Sequence, residues 1–67
     1  KNRYFLPEAL QDLKNDIFKS ADNSKEVSVK SYRDRTGIGR NLSIEILEYF
    51  DRQGVTRRIG DTRQIIE

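Results

Sequence analysis

Apolar residues recur at positions 6, 10, 13 and 17 as Leu6, Leu10, Leu13 and Ile17, spaced four, three and four apart. That spacing puts all four on one face of a helix, predicted over residues 7 to 19. Pro7 fits the first turn, where its missing N–H has no partner to lose, and Glu8 and Lys19 complement the two ends of the helix dipole. A polar loop, SADNSK, follows at 20 to 25, and the segment from Lys25 to Val27 can supply a short strand.

Ser28 is an N-cap candidate, because its hydroxyl can accept from an otherwise unpaired N–H of the next turn. The pattern therefore predicts a second helix from Val29 to about Thr36. Gly37 can close it in the left-handed conformation, and Gly39 leads into a third helix from Arg40 to Gln53. At about 100° per residue, Leu42, Ile46, Leu47, Tyr49 and Phe50 fall within one sector of roughly 160°. These form the expected buried stripe. Arg40, Asn41, Glu45, Glu48, Asp51 and Arg52 take the remainder, which leaves Ile44 as an apolar residue on the polar side.

Gly54 ends this helix, and the β-branched run from Val55 to Ile59 predicts a strand. Gly60-Asp61 is a turn signal, and Arg63 to Ile66 returns as the partner strand. Two helices joined by a glycine-bearing turn and followed by a hairpin read as a winged helix-turn-helix. The predicted class is mainly α with a small β-hairpin, three helices plus a wing, in a single domain over residues 1–67.

Composition narrows what such a domain can do. At 67 residues the core is small, and a large enclosed substrate cavity is not expected. With no cysteine and no histidine, zinc chemistry, cysteine nucleophiles and Ser-His-Asp catalysis are all excluded. The carboxylates Glu45, Glu48 and Asp51 read as a solvated helix face, so we expect no catalytic residue, no metal and no cofactor. No apolar run approaches the ~18 to 20 residues of a spanning helix, and no signal-peptide pattern opens the chain. A cytoplasmic chain with no membrane partner is the expectation. The chain starts at Lys1 rather than methionine, which points to a domain of a larger protein.

Net charge is only +2, yet its distribution is uneven. Lys30, Arg33, Arg35 and Arg40 face the one acid Asp34, and Arg52, Arg57, Arg58 and Arg63 face the one acid Asp61. An acidic block, Glu45, Glu48 and Asp51, lies between them. A helix start favours an anion through its free N–H groups and dipole, and Gly39, Arg40 and Asn41 occupy that start. Further along the same face the acids repel phosphate, which disfavours laying the helix full length in a DNA major groove. Contact by a helix tip and a basic hairpin suits folded RNA better, since the A-form major groove is too narrow for a helix. Candidate binding residues are Lys30, Arg33, Arg40, Asn41, Arg57, Arg58 and Arg63. Arg57 and Arg58 adjoin in a strand and so point to opposite faces. Arg33 has a competing reading as an ion-pair partner of Asp34 or of acids in the third helix. Tyr32 and Tyr49 are expected in the core.

The run ILEYFDRQGVTRRIGD at 46 to 61, with Tyr32-Arg33-Asp34 and Gly37-Ile38-Gly39-Arg40 before it, resembles the last winged-helix domain of SelB. SelB is the bacterial selenocysteine-specific translation elongation factor. The likeness covers about the last forty residues, and the first 25 match only in type. It implies a C-terminal RNA-binding module that grips the tip of an mRNA hairpin, the selenocysteine insertion element, and itself catalyses nothing. It further implies that the parent factor is a GTPase, with other domains binding GTP and selenocysteyl-tRNA at the ribosome; the module itself is expected to be monomeric. Family-like bases fall on Arg33, Arg40, Arg57 and Arg58, with Arg63 beside them, whereas Asn41 stands where a base is expected. Two other functions share the fold. One is DNA binding in a transcription regulator; the other is protein interaction, with Ile44 as its first contact.

Overall fold

A computed structural model describes residues 7–67. Helix α1 runs Pro7–Ser20, strand β1 Glu26–Ser28, helix α2 Val29–Thr36, helix α3 Arg40–Arg52, strand β2 Thr56–Ile59 and strand β3 Thr62–Ile65. Each predicted element is present, with no bound shifted by more than one residue. Leu6, the first residue of the predicted α1 stripe, lies outside the described residues.

Local chemistry accounts for the boundaries. Ser28 and Ser31 form a reciprocal cap at the start of α2: the Ser31 N–H donates to Ser28 Oγ at 3.0 Å and the Ser28 N–H donates to Ser31 Oγ at 3.2 Å. The helix ends where Gly37 adopts φ 74° and its N–H donates to the Arg33 carbonyl at 2.8 Å. A Cβ built on Gly37 meets no atom within 4 Å, so a side chain there would cost backbone strain and nothing else. Gly37→Ala is expected to destabilise the domain by about 1 to 2 kcal/mol, the usual penalty of a non-glycine residue in this region. Each kcal/mol lowers the melting temperature of a domain this size by roughly 4 to 8 °C. An unchanged melting curve would refute a left-handed Gly37.

The core lies between the three helices and one face of the sheet. Ile17, Val27, Tyr32, Ile46 and Leu47 are fully buried, and Leu13, Phe50, Val55 and Ile65 complete the cluster. Both tyrosines on apolar helix faces join it, Tyr32 as a fully buried member and Tyr49 packed against the edge. The Tyr32 hydroxyl donates to the Leu13 carbonyl at 3.1 Å, which ties α2 to α1. Burial, aided by the charge of Asp16, pushes the Tyr32 pKa well above its ordinary value.

Sequence patterning anticipates a hairpin, but the sheet has three antiparallel strands in the order β1-β3-β2. β3 is central. It pairs with β1 through Val27↔Arg63 and with β2 through Arg58↔Arg63, so these three residues form one row across the sheet. Opposed residues of an antiparallel pair leave the sheet on the same side. Val27 is wholly buried and Arg58 exposed, hence the row runs from the core outward with Arg63 in the middle.

Candidate nucleic-acid interface

The start of α2, the start of α3 and the β2–β3 hairpin converge on an open cleft of about 520 Å³. Lys30 and Arg33 come from α2, because residues three apart share a helix face. Arg40 and Ile44 come from α3 at a spacing of four, and Arg58, Asp61 and Arg63 come from the hairpin. Five cationic side chains thus meet one carboxylate on the lining, and Val29 and Ile44 add an apolar strip. Ile44, isolated on the polar side of its helix by sequence, is half-buried in this wall.

α3 enters the cleft with an open N-terminus. Its N-cap, Gly39, has no side chain to accept from the first-turn N–H groups. Those groups and the positive end of the helix dipole therefore add to the charge of Arg40.

The remaining predicted binding residues separate. Lys30 is exposed and its Nζ sits 2.8 Å from Asp34 Oδ2, one helical turn away. The hydrogen bond from Lys30, and then its charge, hold the Asp34 carboxyl below the usual range. So exposed a pair exchanges readily for another anion. Arg33 lines the cleft half-buried, while Asp34 is engaged by Lys30 and Asp51 by Arg63 rather than by Arg33. Asn41 is exposed but lies off the lining. Arg57 is exposed too, and strand alternation turns it away from Arg58 and the cleft. Arg35 approaches Asp16 of α1 at 3.6 Å instead of the cleft.

Two readings need correction. Arg63, expected as a binding residue on the hairpin beside Arg57 and Arg58, is only 2% exposed. Its Nε donates to Asp51 Oδ2 at 3.3 Å. Asp51 was assigned to a solvated acidic face, yet its side chain is 21% exposed, and its Oδ1 accepts from the buried Thr56 hydroxyl at 2.5 Å. Sequence held a signal for the first of these. Arg63 and Ile65 stand two apart on β3 and so share a face, and Ile65 belongs in the core. Nothing in the sequence marks Asp51 as the partner. Three helices, a helix-turn-helix and a basic wing over an open cleft define a winged-helix domain with a cationic interface.

Comparison with known proteins narrows this further. Residues 19–65 match the family model described as "Elongation factor SelB, winged helix". The chain belongs to that family. It is 41% identical over 61 residues to the selenocysteine-specific elongation factors of Haemophilus influenzae and Escherichia coli. It is 32% identical over 62 residues to that of Desulfomicrobium baculatum. These alignments take in 91 to 92% of this chain but 10% of each relative, so the chain spans about a tenth of their length. Among solved structures, the mRNA-binding domain of elongation factor SelB from E. coli, in complex with SECIS RNA, superposes with a TM-score of 0.82 at 37% identity. That match covers 90% of this chain and 50% of the other. No described helix is long and apolar enough to cross a membrane.

Proposed function

We propose that this domain binds an mRNA hairpin of the selenocysteine-insertion type and tethers a selenocysteine-specific elongation factor to its message. The observation that carries this reading is the likeness to a SelB mRNA-binding domain in complex with SECIS RNA, at 37% identity and a TM-score of 0.82. The cationic cleft supplies the chemistry. Arg40 and the open N-terminus of α3 take phosphates on one side of the hairpin tip, and Arg58 takes them on the other. Lys30 and Arg33 extend the charge along α2. Asn41 flanks this surface and makes a weaker contact, and Arg57, on the other side of β2, adds only its long-range charge.

Phosphate contacts carry no sequence, so discrimination comes from a loop base lifted out of its stack into a pocket. In this reading the domain is monomeric and stands at the C-terminal end of a larger cytoplasmic factor. GTP hydrolysis and selenocysteyl-tRNA binding belong to the other domains of that factor, which acts on the ribosome.

A titration at two salt concentrations tests the proposal, with an RNA hairpin of the insertion type, its scrambled single strand and a DNA duplex of equal length. The hairpin is expected to bind more tightly than either control, with an affinity that falls as salt rises. Equal binding of hairpin and scrambled strand refutes hairpin recognition. Preference for the duplex points to a DNA-binding regulator instead, and negligible binding to all three at low salt points to a protein partner.

A further inference from the structure

Arg63 is costly for a domain of this size. Its side chain is 3% exposed, one carboxylate oxygen of Asp51 meets its Nε, and its Nη2 is buried with no hydrogen-bond partner among the described residues. A buried donor left unmet costs far more than an ordinary hydrogen bond returns, and native proteins retain few of them. Stability gives no reason to keep the pair, because well-packed apolar residues of similar volume often serve a buried ion pair's place as well or better.

A second observation points outward. Arg63 stands directly opposite Arg58 in the β2–β3 register, so two guanidinium groups leave the same face of the sheet side by side. Like charges directly opposed across a strand pair are destabilising. Asp51 is bonded to Arg63, whereas Arg58 Nε donates to the Gly60 carbonyl at 3.2 Å. Both arginines line the cleft.

We infer that Arg58 and Arg63 form a pincer for one phosphate of the bound RNA, with Asp51 and Thr56 as positioning residues that hold its inner arm. The inference rests on the RNA reading above and adds to it a specific two-guanidinium contact. Thr56 donates to one oxygen of Asp51, which orients the carboxylate. The other oxygen takes the Nε of Arg63, which fixes the plane of the guanidinium; Nη2, buried in the free domain, is left for a ligand that moves aside the side chains covering it. A phosphate oxygen satisfies that nitrogen and offsets the repulsion between the two arginines in one step. The planar fork of arginine suits this geometry; the point charge of lysine does not.

The test compares the 67-residue chain with the double variant Asp51→Leu/Arg63→Met, which replaces the pair by apolar groups. Urea unfolding is expected to show a stability close to that of the parent, because relief of the buried ion pair offsets the loss of the acceptor of the buried Thr56 hydroxyl. Hairpin affinity at fixed salt is expected to fall about tenfold, the loss of one charged hydrogen bond. The salt slope is expected to drop by roughly 0.7 to 0.9, the loss of one phosphate contact. Adding Arg58→Ala to the double variant should cost less than Arg58→Ala costs in the parent, since two arms on one phosphate are coupled.

Arg63→Gln, which keeps a donor for Asp51, reads the same way should the apolar pair fold poorly. Folded variants that keep parental affinity and salt slope overturn the pincer and leave Arg63 a structural residue. Additive losses overturn the sharing of one phosphate. A parent chain that binds no hairpin overturns the RNA reading itself, a result distinct from either.

Discussion

Replacing Arg40 and Arg58 together by alanine is expected to weaken RNA-hairpin binding about a hundredfold, whereas Arg57→Ala changes it little. Each charged hydrogen bond lost costs about tenfold in affinity. The two arginines reach the cleft from different elements, Arg40 from the start of α3 and Arg58 from β2. Their effects should therefore be close to additive. Each lost phosphate contact also lowers the salt slope by roughly 0.7 to 0.9, so the pair should lower it by about 1.4 to 1.8.

Arg57 is the internal control, since it carries the same charge one residue away but leaves the strand on the other side. Fluorescence anisotropy with a labelled hairpin, at three salt concentrations, measures all of this. If Arg57→Ala cost as much as Arg58→Ala, the RNA would lie on the wrong side of the wing for the cleft to be the interface.

Phe50→Ala is expected to remove most of the stability of the domain. Phe50 is 3% exposed in the last turns of α3, and its ring meets that of Tyr49 edge-on at 5.1 Å. Its carbonyl accepts from the Val55 N–H at 3.0 Å, where the chain turns toward the wing. Truncating a buried phenylalanine to alanine costs about 3 to 5 kcal/mol through lost transfer energy and the cavity left behind. A chain of 67 residues has roughly 3 to 10 kcal/mol in total, at ~0.05 to 0.15 kcal/mol per residue. Urea unfolding followed by circular dichroism should show a large fall in midpoint, with loss of hairpin binding alongside it. A cost below about 1 kcal/mol would mean that α3 does not pack on the core through this ring.

Much of the fold was legible because its determinants are local. Ser28 caps α2 through a serine three residues on, Gly37 closes it with a left-handed turn, and the stripe on α3 follows from helical spacing alone. The site was legible in outline for a similar reason: Arg40 stands at a helix start, and Arg57 and Arg58 had to diverge on a strand. Ile44 and Asp51 were not so readable. Ile44 joins an apolar strip only because α2 and the wing close around it, and Asp51 turns inward only because Thr56 and Arg63 arrive beside it.

By itself the sequence determined three helices, a glycine turn and a basic hairpin, together with an unequal charge map that favours an anion at a helix tip. Periodicity, capping and turn chemistry act within a few residues, and a single chain displays them directly. Tertiary structure alone decided that β1 crosses to pair with β3, and that register sets Val27, Arg63 and Arg58 in one row. It thereby divided the predicted binding residues into four open to the cleft, a flanking pair, and one arginine buried on a carboxylate. The reason is physical. Which face a strand residue occupies follows from pairing between distant segments, and whether its charge meets water or a partner follows from what packs over that face.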